Sequence, residues 1–323
     1  MTTEKKKGKK KWLVILLLLL AFLIACVSGI AIYYYNLINF DKDFAATTYL
    51  TPFENEKVTN IALFGLDARQ DIESGRSDAI LILTVDREHG KLKLSSIDFD
   101  SCVEIDRIDK NGNPYTVNDR LTNAYMYGGP ELAVNTINKN FSMDIEDYVT
   151  VNYFQFVEIL DYIGGIEVHV DKDEMGKMNR LYIPGLVKIG IPCEKIEQPG
   201  FQRLTGAQAL AYCRECFSPG KDVRRADRHR EILTEIYKKI KSMESIITFD
   251  RIIKIFCENS ITSMTPYEIA DVALWTLNNK PSIDVLRLPT DDCNPKNGIV
   301  NKVWCTSYDL EKATEELHTF IKR

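Results

Sequence analysis

The chain is poor in the features that mark several protein classes. With 17 Gly and 11 Pro in 323 residues, it is neither a collagen-like nor a low-complexity chain. No internal repeat appears after residue 36, which excludes a solenoid or propeller. Cys213 and Cys216 form a C-x-x-C pair with no second pair to complete a zinc set, so a structural zinc site is not expected. Basic charge is also scarce outside one place. Six lysines crowd "EKKKGKKK" at residues 4–11; without them and Glu4, the 41 basic and 46 acidic residues leave a body near −10. Such a body lacks the basic footprint that nucleic-acid binding needs, and no nucleic-acid partner is expected.

Uncharged length is the one thing present in excess. "WLVILLLLLAFLIACVSGIAIYYY", residues 12–35, holds no charged residue. As a helix it would run about 36 Å, enough to cross a hydrocarbon core of about 30 Å. The preceding lysines predict a cytoplasmic tail over residues 1–11, and Trp12 and Tyr33 to Tyr35 suit the two interfaces. No A-x-A site follows, which argues against a cleaved signal peptide. "LIAC" at 23–26 is similar to a lipoprotein box, and processing at Cys26 is the alternative to an intact anchor, although the apolar run continues past it. Either way, residue 36 onward is expected outside the membrane.

The exported part reads as a stalk over 36–58, a principal domain over 59–245 and an extension over 246–323 packed on the same domain. "NIALFGL" (60–66) and "AILILTV" (79–85) predict strands buried on both faces, and "LKLSSI" (92–97) a returning strand. "DYVTVN", "GGIEVHV" and "SIDVLRL" predict further strands. Helices are expected from Pro130, over 154–163, over "TGAQALAYCRE", over "RRADRHREILTEIYKKIKSM", from a cap at Thr265, and at the C-terminus. Residues 171–203 read as irregular. This pattern gives the fold class α/β: a single three-layer domain with a central mixed sheet flanked by helices, preceded by one transmembrane helix. Cys293 and Cys305 flank a turn, where a bridge across a terminal hairpin and free thiols are equally compatible readings.

The loop between the first two strands concentrates chemistry. If 60–66 and 79–85 pair antiparallel, Asp67 and Asp78 meet at one end of the sheet, and the return strand delivers Asp98, Phe99, Asp100 and Ser101 to the same rim. Gathered carboxylates need a cation or arginines to neutralise them, and oxygen ligands suit Mg²⁺ or Mn²⁺ shared with a phosphate. In "DVRRADRHREIL", Arg225, Arg228 and His229 share a helical face with Ile232 and Ile236, so two arginines turn inward and require an anionic partner. Asp222 or Asp227 is the local alternative to a diphosphate.

Those blocks, with "RLTNAYMYGGPELAVNTIN", "DYVTVNYFQFVEILDYIGGIEVHV" and "LTGAQALAYCRE", resemble the LytR–CpsA–Psr proteins of the Gram-positive envelope over roughly residues 58–245. The resemblance implies a membrane-anchored phosphotransferase that moves a glycopolymer from a polyprenyl-pyrophosphate carrier to peptidoglycan. By motif position it implies Asp67 and Asp78 as metal ligands, Asp78 and Asp100 as catalytic acids, and Arg69, Arg76, Arg214, Arg225, Arg228 and His229 around the pyrophosphate. The chain also departs from the pattern. Where the family carries Pro-Arg-Asp-Thr it has Asp98, Phe99, Asp100 and Ser101; Cys216 replaces a second arginine after Arg214, and His229 replaces a glutamine. Arg107, Arg120 or Arg224 are the arginines available to substitute, and a relative that binds the lipid without transferring is the second expectation.

Overall fold

The computed structural model describes residues 36, 38–47, 57–67, 75–214, 228, 231–239, 254 and 260–323. The expected anchor at 12–35 lies outside them, as do Arg69, Arg225 and His229. Among the described residues, no helix is long and apolar enough to cross a membrane.

A seven-stranded mixed sheet forms the frame, in the order β1 (Asn39–Phe40), β10 (Ile261–Thr262), β7 (Asp147–Asn152), β2 (Val58–Leu66), β3 (Ser77–Asp86), β4 (Lys91–Ile97) and β11 (Ser282–Leu288). β2, β3 and β4 run as an antiparallel meander, while β7 lies parallel to β2 and β11 parallel to β4. Apolar residues on both faces of the central strands explain the burial. Ala62, Phe64, Leu66, Ile80 and Ile82 pack beneath the helices Leu121–Phe141 and Leu310–Lys322. Ile61, Leu63, Leu83 and Val85 face Ile269, Val272 and Trp275 of the helix Pro266–Asn279. The period of two along each strand sorts these residues to opposite faces, so helices cover both faces of a mixed sheet, as expected.

A second core lies beside the frame. The hairpin β8 (Ile166–Val170) and β9 (Gly200–Leu204) packs with the helices Tyr153–Tyr162 and Gly206–Arg214 around Leu160, Ile166, Leu204 and Leu210. Two further hairpins complete the fold: β5 (Cys102–Ile108) with β6 (Pro114–Arg120), and β12 (Lys296–Val300) with β13 (Val303–Ser307).

Several expectations need correction. The hairpin Cys102–Arg120 was not expected: its apolar alternation is limited to Val103 and Ile105, buried on either side of exposed Glu104, and most of its second strand is exposed. The helix predicted from Pro130 begins earlier, at Leu121; its backbone breaks at Gly128 and at Gly129 (φ 64°), so Pro130 does open a helical segment after a kink. Residues 171–203 hold short helices, the first capped reciprocally by Asp171 and Glu174. The stretch read as a stalk packs on the domain over part of its length: Ile38 is buried, Phe44 lies 4.8 Å from the Tyr148 ring, and Tyr148 donates to Asp41 at 2.7 Å. Of the two readings for the turn-flanking cysteines, free thiols hold: Cys293 and Cys305 are unbridged and buried. Cys305 faces Gly298 across its hairpin, while the Cys293 thiol lies 3.6 Å from Glu316.

Candidate functional site

One end of the sheet collects the carboxyl ends of its parallel pairs. Leu66 of β2 lies opposite Asn152 of β7, and Leu288 of β11 opposite Ile97 of β4. At such ends the chain leaves the sheet in loops and helix starts, the usual place for a ligand in α/β folds. β3 begins at the same end, with Ser77 opposite Leu66 and Ile80 opposite Ile97. The register therefore delivers Asp67, Asp78 and the segment 98–101 to one rim.

Four side chains there form a chain of three contacts. Asp67 lies 3.5 Å from Arg214, at the end of its helix. The Arg214 guanidinium stands 4.8 Å over the Tyr153 ring, a cation–π contact. Tyr153, opening the helix that follows β7, donates its hydroxyl to Asp78 at 3.3 Å. The Asp67 backbone N–H donates to the Arg76 carbonyl at 3.1 Å and closes the mouth of the intervening loop. Tyr153 was missed from sequence because a tyrosine at a helix start carries no signal until the helix is docked.

The second group surrounds the segment that departs from the family pattern. Phe99 packs against the main core, and its carbonyl accepts the Thr122 N–H at 2.9 Å. Asp100 pairs with Arg120 at 3.3 Å. Asp119 accepts from Tyr127 at 2.6 Å, from Asn123 at 2.8 Å and from the Arg120 N–H at 2.7 Å. Arg107 lies 3.9 Å over the Tyr127 ring and 5.7 Å from that of Tyr115. The hydrogen bond to Asp119, assisted by burial, pushes the Tyr127 phenol above its ordinary range, while Arg107 and Arg76 pull it down. Near these residues Ser77 Oγ, Arg120 Nε, Thr122 Oγ1 and Asn123 Oδ1 are buried with no hydrogen-bond partner among the described residues. Buried polar atoms are normally satisfied, so this concentration marks a place built to meet something polar.

Arg228 is placed differently from the others. It is 3% exposed, pairs with Glu174 at 2.7 Å and lies 5.1 Å over the Tyr212 ring. The inward arginine does find an anionic partner in Glu174, while Asp222 and Asp227 lie outside the described residues. For a divalent cation, the described residues gather no set of three or more His, Cys, Asp or Glu side chains. Two carboxylates at the rim still fit Mg²⁺, which commonly takes one or two carboxylates and fills its sphere with phosphate oxygens and water.

With the geometry defined, comparison with known proteins is informative. A Bacillus cereus polyisoprenyl-teichoic acid–peptidoglycan teichoic acid transferase, TagU, is 26% identical over 260 residues, covering 80% of this chain and 77% of the relative. An uncharacterised Staphylococcus aureus protein is 28% identical over 251 residues, 76% of this chain, and the match spans only 57% of that protein's length. A solved structure of TagT with bound octaprenyl pyrophosphate lipid superposes with a TM-score of 0.59 at 21% identity, covering 88% of this chain and all of that one. The Streptococcus agalactiae protein gbs0355 gives a TM-score of 0.66 at 21% identity, covering 86% of this chain and 92% of that one. At these identities the structural likeness speaks for the fold. The sequence profile of the LytR_cpsA_psr family matches residues 26–319, nearly the whole length, and on that match this chain belongs to the LytR_cpsA_psr family.

Proposed function

We propose that the chain is an extracytoplasmic phosphotransferase that moves a glycopolymer from a polyprenyl-pyrophosphate carrier to peptidoglycan. Family membership supports this, as do relatives named for that transfer and a structural neighbour holding octaprenyl pyrophosphate. The observation that carries it within this chain is the run of contacts Asp67–Arg214–Tyr153–Asp78 at the carboxyl ends of parallel strands. In this reading residues 12–35 anchor the chain in the cell membrane, with the tail at 1–11 in the cytoplasm and the folded domain outside.

The chemistry follows from the arrangement. An acceptor-sugar hydroxyl oxygen bonds to the phosphorus nearest the glycan, the bond to the distal phosphate breaks, and polyprenyl phosphate leaves. Arg214, held by Tyr153 and Asp67, donates to the phosphate oxygens as charge shifts between them. Arg69, Arg76 and Arg225 join it in this reading, as does His229. Asp78, which receives a neutral phenol, takes the hydroxyl proton; Asp100 is held by Arg120 and orients that arginine. Arg228 acts from beneath, fixing the packing around Tyr212 through Glu174. Mg²⁺ or Mn²⁺ held by Asp67 and Asp78 would neutralise phosphate charge.

The test is reconstitution of the full chain in lipid nanodiscs with a short-chain polyprenyl-pyrophosphate glycan, Mg²⁺ and peptidoglycan oligomers, with the product followed by mass spectrometry. Transfer that disappears in Asp78→Ala is the expected result. Phe99 favours a second reading, since a phenyl ring cannot donate to phosphate: a relative that binds the lipid without transferring it. Phe99→Arg separates the two. Turnover should change little if the chain is a working transferase, and a large gain would mean that the native chain is crippled.

A further inference from the structure

The hairpin β12–β13 grips the segment 98–101 that follows β4. The Thr306 N–H donates to the Asp100 carbonyl at 2.8 Å, and Ser101 pairs with Thr306 in a parallel bridge. Just beyond β13, the Tyr308 hydroxyl lies 2.9 Å from Ser101 Oγ and donates to it. Partners in a bridge share a face, and successive residues of an extended chain alternate between faces. The register therefore turns Cys102, just after Ser101, and Cys305, just before Thr306, to the same opposite face. There the Cys102 S–H hydrogen-bonds the Cys305 sulfur. Cys305 is 1% exposed, whereas Cys102 is half-buried and is the sulfur a reagent reaches first. The other described cysteines sit elsewhere: Cys293 against Thr290 and Glu316, Cys193 on the Glu194 carbonyl, and Cys213 within the second core.

We propose that Cys102 and Cys305 are an oxidisable pair whose disulfide staples the hairpin β12–β13 to the segment carrying Asp100. Thiols already in hydrogen-bond contact need only rotate about their side-chain bonds to bring sulfur to sulfur at about 2 Å. The oxidant is a small disulfide, R–S–S–R. Cys102 gives up its proton and its thiolate attacks one sulfur of the oxidant, expelling R–S⁻. The Cys305 thiolate then attacks the Cys102 sulfur of the mixed disulfide and expels the second R–S⁻. The pair loses two electrons and two protons, and the oxidant leaves as two molecules of R–SH. Burial, then the Cys305 contact, push the Cys102 thiol above its ordinary range, so thiolate is scarce and the exchange is slow. Outside the membrane, where the proposed function puts the domain, no cytosolic reductant meets the bond.

The experiment incubates the full chain in nanodiscs with oxidised glutathione until exchange is complete. Free thiols are then blocked with N-ethylmaleimide, and linked peptides are mapped by mass spectrometry without reduction. The expected product joins the Cys102 peptide to the Cys305 peptide, lighter by two hydrogens than the reduced pair, and dithiothreitol separates them. The oxidised chain should melt about 5–10 °C above the reduced one, because the bond closes a long loop in the unfolded state. Cys102→Ser should abolish both the linked peptide and the shift. The unsubstituted chain carries the test even if that variant fails to fold, since the linked peptides are read without it. Cys102 and Cys305 recovered separately, blocked or glutathionylated, overturn the proposal, as does a bond from either to another cysteine. A linked pair with no rise in melting temperature overturns the staple. Neither readout uses transfer activity, so the outcome is independent of the transferase reading.

Discussion

Strand β3 carries an aspartate near each end, and the two have opposite fates. Asp86 is fully buried with Lys93, whose ammonium lies 2.6 Å from it and also donates to the Ile321 carbonyl at 2.7 Å. His89 completes the cap at 2.8 Å. Every strong charge at that end is answered from within the chain. Asp78, eight positions earlier, stands at a rim where Arg214 is partly exposed, Arg107 has no carboxylate partner among the described residues, and several buried polar atoms are unmet. Composition alone does not distinguish the two acids. The lesson is that an acid answered internally holds the sheet together, and an acid on an incompletely answered rim is where a ligand fits.

The sharpest way to break this contrast is to remove one partner at the sealed end. Lys93→Met strands the Asp86 carboxylate in the core and should cost about 3–5 kcal/mol in chemical denaturation, the range for breaking a buried pair. At the other end, Asp78→Asn should leave the melting temperature almost unchanged while lowering transfer by about 10²–10³, the scale of losing one preorganised group in a transition state. If Asp78→Asn proved as destabilising as Lys93→Met, the distinction between the ends would fail. Arg214→Ala comes next. It should weaken lipid binding by about tenfold, with a smaller change in stability, because the partly exposed Asp67 is left to water.

The smallest effect is in pH. Burial pushes the Asp86 carboxyl up, but hydrogen bonds from Lys93 and His89 outweigh it and hold the group below its ordinary range. Its stabilising contribution is then complete above about pH 4 and is lost as the pH falls through the lowered folded-state value. Acid titration of unfolding should show this loss in the native chain and not in a Lys93→Met, Asp86→Asn double variant.

How much of this was legible beforehand follows the same division. The strands with apolar residues on both faces, β2, β3, β4 and β11, could be read because burial dictates their composition. Thr265 announced its helix, since its side chain and that of Glu268 cap each other's backbone. Asp67, Asp78 and Arg214 were legible as candidates through their motifs. Tyr153, Tyr127 and Glu174 were not, because each acquires its role from tertiary placement. The hairpin Cys102–Arg120 escaped for a related reason: its apolar alternation is confined to Val103 and Ile105 around exposed Glu104, too short a run to announce a strand. The choice between a Cys293–Cys305 bridge and free thiols was not legible, because spacing along a chain says little about which thiols come to face each other.

The parallel pairing of β11 with β4 carries a temporal consequence. A ribosome makes β4 long before β11, with residues 98–281 in between. Until residue 288 emerges, the Lys91–Ile97 edge has one row of amide and carbonyl groups without its neighbour. Lys93 waits longer still, because its second acceptor, Ile321, lies 228 residues further along the chain. The nascent chain must therefore keep a charged, half-covered strand soluble while the intervening residues are made. A premature stop between residues 100 and 282 would release a product that exposes this edge, open to pairing with any extended strand it meets.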